Sequence, residues 1–118
     1  MRADWREILG EISTNAETFV ILKHGRPEAV LLPQRIWTQG CRILPVPDTA
    51  RRYRASSDAR SGLRSVRSAA VQRGEHTLIH QLYAPLFKDT TPLKIAAVVS
   101  PYTWVRQALP ELGEFPTA

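Results

Sequence analysis

Arginine, the side chain best suited to chemistry with phosphate, is concentrated in the middle of this 118-residue chain. Residues 51–73 contain seven arginines and one acidic residue, Asp58, whereas the charges of residues 1–40 balance. Guanidinium groups bind phosphate oxygens and guanine edges, so this block predicts a nucleic-acid-binding surface rather than a merely solvated face. The residues predicted to bind DNA, with the last two as weaker contributors, are Arg51, Arg52, Arg54, Arg60, Arg64, Arg67, Arg2 and Arg6.

Helical spacing groups three of these arginines. Arg60, Arg64 and Arg67 lie at i, i+4 and i+7, and therefore share one face of a helix. We expect that face to meet a phosphate backbone while another face docks on the body of the protein. The apolar positions expected on the docking face are Leu63, Val66 and Ala70.

Histidine and serine give little support for catalysis. His76 and His80 alternate on one face of a predicted strand, but no cysteine or carboxylate cluster accompanies them. A metal pair is therefore the less favoured interpretation, and no metal site is predicted. The sequence also lacks a Gly-x-Ser-x-Gly setting and a phosphate-binding glycine loop. We predict a protein that is not an enzyme, with no catalytic residue and no cofactor.

The elements that must position the arginines follow from apolar patterning. An amphipathic helix is predicted over residues 2–13, and the runs FVIL and AVLL around the segment KHGRPE predict a β-hairpin. Residues 41–50, with two prolines, predict a linker. A second helix ended by Gly74 and two strands, at 76–80 and 95–99, follow. The stripe predicted to be buried in the first helix is Trp5, Ile8, Leu9 and Ile12.

The order of elements in the second half resembles that in the first. An offset of 58 residues relates Trp5 to Leu63 and Ile8 to Val66, and an offset of 67 relates Trp37 to Trp104. The larger offset places a nine-residue insertion within residues 82–94. These spacings predict an internal repeat.

The ordered set of helix, strand, basic glycine turn, strand and tryptophan resembles the N-terminal module of the Phd/YefM (prevent-host-death) antitoxin family. The second unit is similar at its ends, where Ala59-Arg60-x-x-Leu63 opens the helix and Trp104 follows the last strand. The residues that carry the resemblance in the first unit are Arg2, the Trp5-to-Ile12 stripe, Val20-Ile21, His24-Gly25-Arg26-Pro27, Ala29-Val30-Leu31-Leu32 and Trp37.

The resemblance implies an α+β fold in which two helix-hairpin modules pair about a pseudo-two-fold axis within one chain. The modules are residues 1–40 and 51–104, the linker is 41–50, and the C-terminal tail is 105–118. The implied function is that of an antitoxin-like DNA-binding autorepressor of a toxin–antitoxin operon, with operator DNA as a partner and further self-association open. The alternative is an interaction or structural subunit that retains the fold without binding DNA.

A cognate toxin is the second partner that the resemblance implies, with neutralisation by protein–protein binding. The alternative for the tail is a short helix that closes the core. The residues predicted to dock the partner are Trp104, Val105, Leu109 and Leu112.

Composition predicts the compartment. One cysteine excludes an internal disulfide framework and agrees with a reducing cytoplasm. No apolar run approaches the ~20 residues of a membrane span, and no signal peptide is recognised at the start. We therefore predict a cytoplasmic protein without a membrane partner.

Overall fold

The computed structural model describes residues 5–56, 62–80 and 95–112, which form four α-helices and five β-strands. The helices are α1 (Trp5–Asn15), α2 (Gln34–Ile43), α3 (Leu63–Arg73) and α4 (Tyr102–Ala108). The strands are β1 (Phe19–Lys23), β2 (Arg26–Leu32), β3 (Arg51–Ala55), β4 (His76–His80) and β5 (Ile95–Pro101). Short 3₁₀ turns at Asp48–Ala50 and Pro110–Leu112 precede β3 and follow α4.

The strands form one mixed sheet in the order β1-β2-β5-β4-β3. All neighbours are antiparallel except β3 and β4, which are parallel. The predicted hairpin is confirmed, because β1 and β2 pair across His24 and Gly25. Both turn residues have positive φ, 51° and 77°, as a two-residue turn between twisted strands requires.

Helices cover both faces of the sheet. On one face α1 and α3 pack against alternate residues of the inner strands, and the predicted positions Ile8, Leu9 and Ile12 are buried there. On the other face α2 and α4 pack through a second cluster that contains Trp37 and Trp104. Because successive side chains along a strand point to opposite faces of the sheet, one sheet contributes to two hydrophobic cores.

The prediction of two helix-hairpin modules that form a pseudo-two-fold pair is wrong. The described residues form a single α+β domain, in which β2 and β5 pair at the centre of the sheet. Neither half encloses its own core. One cluster joins Ile12 of α1 to Val66 of α3, and the other joins Trp37 of α2 to Val105 of α4. Elements this short bury enough apolar surface only when both halves share each core.

Helix α2 extends into the stretch predicted as a linker. It continues past Trp37 to Ile43 because Gly40 lets the helix approach α4 closely. A Cβ atom at Gly40 would lie 2.6 Å from Cη2 of Trp104, closer than real carbon contacts. The sequence pattern of residues 38–43 does not reveal this contact, since the partner tryptophan lies more than sixty positions later.

Among the residues that the structure describes, none of the helices combines the length and the apolar character that a bilayer crossing requires.

Candidate nucleic-acid interface

The edge strand β3 and helix α3 enclose an open groove that collects basic side chains. Alternation along β3 directs Arg52 and Arg54 to the face of the sheet that α3 covers, in register with Thr77 and Ile79 of β4. From α3, Arg73 reaches the same groove. The groove has a volume of about 1170 Å³, and the helix also lines it with Ser65, Ser68 and Ala69.

The end of α3 places one acid among these arginines. Gly74 adopts the left-handed conformation with φ 63°, and the backbone N–H of Glu75 bonds back to the carbonyl of Ala69. This turn brings Arg73 and Glu75 side by side. Arg73 Nε donates to Glu75 Oε2 over 2.8 Å, and Arg52 Nη2 lies 3.5 Å from the same oxygen.

The hydrogen bond from Arg73 is the largest cause that lowers the pKa of Glu75, and burial partly opposes it. The same hydrogen bond raises the pKa of the Arg73 guanidinium. Glu75 is therefore ionised at neutral pH, and three arginines face one carboxylate. The described part of the groove carries a net positive charge of two, which suits an anionic ligand.

Arg52 and Arg54 differ in the contacts that their guanidinium groups make. Arg52 Nη1 donates to the carbonyls of Thr49 and Arg51, over 3.0 and 2.9 Å, so its guanidinium has a fixed orientation. Arg54 is half-buried and makes no hydrogen bond or ion pair with any residue in the described ranges. Its charge nevertheless helps to lower the pKa of Glu75.

Arg51, predicted to bind DNA, lies outside the groove. Its side chain lies on the opposite face of the sheet, where its guanidinium packs 5.2 Å from the ring centre of Trp37. Nε and Nη2 donate to the carbonyl of Val46 over 3.2 and 3.0 Å, and Nη1 lies 3.8 Å from Asp48. These contacts anchor the segment that leads into β3.

The arginine face predicted on α3, with Arg64 and Arg67, does not point into the groove. Arg67 forms an ion pair of 3.3 Å with Glu28 of β2, with both side chains largely buried. Arg64 lies one turn away, on the same side of the helix, and is exposed. Both arginines therefore lie on the side of α3 away from β3. Arg2, Arg60 and the side chain of Arg6 lie outside the described residues.

The residues predicted to dock a toxin belong to the protein's own core. Trp104, Val105 and Leu109 are 9%, 0% and 1% exposed, and Leu112 packs against the same cluster. Trp104 Nε1 also donates to the carbonyl of Leu44 over 3.0 Å. This arrangement corresponds to the alternative in which the segment closes the core, because a partner cannot reach these side chains while α4 stays on the sheet.

A buried polar cluster between the two tryptophans was not predicted. His76 Nδ1 accepts a hydrogen bond of 2.9 Å from Trp37 Nε1, and Ser100 Oγ lies 2.8 Å from the same nitrogen. Because an indole N–H can only donate, Nδ1 carries no proton and the serine hydroxyl also donates to it. The ring of Trp104 meets His76 edge-on at 4.6 Å.

This serine–histidine contact is structural. His76 is 2% exposed and Ser100 is 0% exposed, so no substrate can reach the pair. Burial, with a smaller effect of Arg51, lowers the pKa of His76 to about 4 and keeps the ring neutral. In the described ranges, no group of three histidine, cysteine or acidic residues could hold a metal ion. The sequence gives one hint of this cluster, the alternation of polar residues in β4. That pattern does not identify Trp37 as the partner of His76.

No protein-family model, no curated protein and no solved structure matches this chain.

Proposed function

We propose that this protein binds duplex DNA through the groove between β3 and α3, as an antitoxin-like repressor of its own operon in the cytoplasm. One observation carries the proposal: Arg52, Arg54 and Arg73 converge on an open groove that contains a single carboxylate, Glu75. The resemblance of the sequence to Phd/YefM antitoxins supports the choice of DNA among anionic ligands.

The groove has the groups that a phosphate backbone requires. Guanidinium groups contact phosphate oxygens with paired N–H donors, and serine hydroxyls such as those of Ser65 and Ser68 commonly add neutral hydrogen bonds. Arg52 is already oriented by backbone carbonyls, so little side-chain entropy is lost when it meets a ligand. Such contacts fix position on DNA, while base contacts specify sequence.

We propose DNA binding for this protein, and we do not propose that it captures a toxin. Among the side chains that the sequence assigned to a toxin partner, Trp104, Val105 and Leu109 are buried between α4 and the rest of the core, and Leu112 is partly buried against the same cluster. The second candidate, an interaction or structural subunit that does not bind DNA, is distinguished by the binding experiment itself.

The experiment measures binding of a fluorescently labelled duplex by anisotropy over a range of salt concentrations. Arg54→Ala should lower the affinity by about fivefold or more at low salt, and reduce the magnitude of the salt slope by about 1. Arg42→Ala is the matched control, because Arg42 is an exposed arginine on α2, at the opposite face of the sheet. It should change the affinity by less than about twofold.

Two results would contradict the proposal. The first is absence of salt-dependent binding by the parent protein, which favours the interaction-subunit alternative. The second is an equal loss of affinity in Arg54→Ala and Arg42→Ala, which would mean that overall charge rather than the groove attracts DNA.

A further inference from the structure

The carboxylate of Glu75 occupies the place in the groove where two arginines converge. Its side chain is 10% exposed, and Oε2 accepts from Arg73 Nε at 2.8 Å while Arg52 Nη2 lies 3.5 Å away. A carboxylate and a phosphate present similar oxygen acceptors to a guanidinium. Glu75 thus fills the position that a phosphate oxygen would take between these two arginines.

The backbone positions of the two arginines at the groove do not depend on Glu75. The carbonyls of Thr49 and Arg51 hold the Arg52 guanidinium from the side of the strand. Arg73 belongs to the last turn of α3, whose end is fixed by Gly74. If the charge of Glu75 were removed, Arg52 would keep its two bonds to backbone carbonyls, and the Arg73 guanidinium would lose its carboxylate acceptor and could meet another anion.

We propose, on the basis of the DNA-binding function above, that Glu75 is the affinity-determining residue of the groove. Its carboxylate competes with DNA phosphate for Arg52 and Arg73. Arg54 makes no hydrogen bond or ion pair with a described residue and acts on Glu75 only through its charge, so it is then the arginine that phosphate contacts in the parent protein. The internal anion thereby weakens DNA binding.

The direct test compares Glu75→Gln with the parent protein in the anisotropy assay. The amide keeps the shape of the side chain and removes its charge. The affinity should rise by about three- to tenfold at low salt, and the magnitude of the salt slope should increase by about 1 to 2 as the released arginines engage phosphate. Far-UV circular dichroism establishes that the variant is folded.

Glu28→Gln is the matched control. Glu28 also pairs with an arginine of α3, Arg67, but on the side of the helix away from the groove. The chemical change and the change in net charge are the same as in Glu75→Gln. Because Glu28 lies away from the groove, the affinity of Glu28→Gln should stay within about twofold of the parent value. An equal gain in both variants would overturn the inference, since net charge alone would then explain the effect.

The outcomes separate this inference from the proposed function. If Glu75→Gln binds no more tightly than the parent protein while Arg54→Ala still weakens binding, Glu75 does not compete and the DNA-binding proposal stands. If neither the parent protein nor Glu75→Gln binds the duplex, the DNA-binding function itself is wrong.

A measurement on the parent protein covers the case in which Glu75→Gln does not fold. The side-chain Nε–H resonances of Arg54 and Arg73 are followed by NMR as an unlabelled duplex is added. The resonance of Arg54 should move, whereas that of Arg73, still bonded to Glu75, should stay in place. Movement of the Arg73 resonance with a static Arg54 would refute the assignment of roles.

Discussion

Acidification should destabilise this protein through His76, whose ring lies buried between two tryptophans. Nδ1 of His76 accepts hydrogen bonds from Trp37 Nε1 and Ser100 Oγ. A proton on Nδ1 would break the hydrogen bond from Trp37, require the serine hydroxyl to turn and accept instead of donate, and place a positive charge near Arg51. Burial, with Arg51 as the second cause, accordingly lowers the pKa of His76 from 6.5 to about 4.

The sign and size of the effect follow from the two states of the chain. The unfolded chain protonates His76 at its ordinary pKa, whereas the folded protein resists protonation until a lower pH. Stability is therefore complete above pH 6.5 and is lost as the pH falls toward 4. The difference between these pKa values corresponds to about 3 kcal/mol, most of which is lost by about pH 4.5.

A second acid-sensitive group acts at lower pH. The pKa of Glu75 is lowered from 4.5, chiefly by the hydrogen bond from Arg73. Its contribution to stability is present above that value and is lost only as the pH falls below it. The interval between about pH 6.5 and about pH 4.5 therefore reports mainly on His76 when the parent protein is compared with a His76 variant.

The assay is urea unfolding followed by circular dichroism at a series of pH values, for the parent protein and for His76→Asn. The asparagine amide supplies an acceptor near the position of Nδ1 but does not titrate. The parent protein should lose about 2–3 kcal/mol across the interval, whereas the variant should be less stable at neutral pH and change little with acidification. Equal pH slopes in the two proteins, or no slope in the parent, would refute the account of this cluster.

Gly40→Ala and Leu109→Ala test the packing of α2 and α4, and Gly10→Ala in α1 is the control. Gly40→Ala should destabilise the protein by about 1–3 kcal/mol, because the new Cβ would lie 2.6 Å from Trp104. Gly10→Ala, in a helix where no atom lies within 4 Å of the added carbon, should be neutral or stabilising by up to about 1 kcal/mol. Leu109→Ala should cost about 2–5 kcal/mol, since this side chain is 1% exposed. Thermal and urea unfolding check all three, and a change below about 0.5 kcal/mol for Leu109→Ala would contradict its placement in the core.

Local patterning predicted most of the elements correctly. The stripe of α1 is buried at Ile8, Leu9 and Ile12, and α3 ends where Gly74 was expected to end it. The two-residue turn at His24 and Gly25 joins the predicted hairpin strands. These features depend on side-chain periodicity and backbone conformation within a few residues, which a single sequence displays directly.

The strand β3 could not be predicted in the same way. Four of its five residues are at least partly exposed, and the segment RRYRA lacks a clear apolar alternation. Parallel pairing with β4, about twenty-five residues later, defines it as a strand. Its existence therefore depends on tertiary pairing rather than on propensity, which the local sequence does not record.

Charge counting finds the arginine block in the sequence, but it does not show which surfaces of the fold its members occupy. Periodicity predicts that Arg64 and Arg67 share a face, yet it cannot reveal that Glu28 of a distant strand lies beside that face. Nor does it show that Arg51 packs on a tryptophan while Arg54 lines the groove beside Glu75. Which arginines are available to a ligand is decided by partners far away in sequence.

Chemical-shift mapping with a short duplex tests the central claim most directly, because it reports which part of the domain meets DNA without any substitution. Amide resonances of β3 and α3 should move together as the duplex is added, with the largest changes around Arg52, Arg54 and Arg73. Resonances of α2 and α4, on the opposite face of the sheet, should remain in place. Shifts confined to α2 and α4, or no shifts at low salt, would contradict the account.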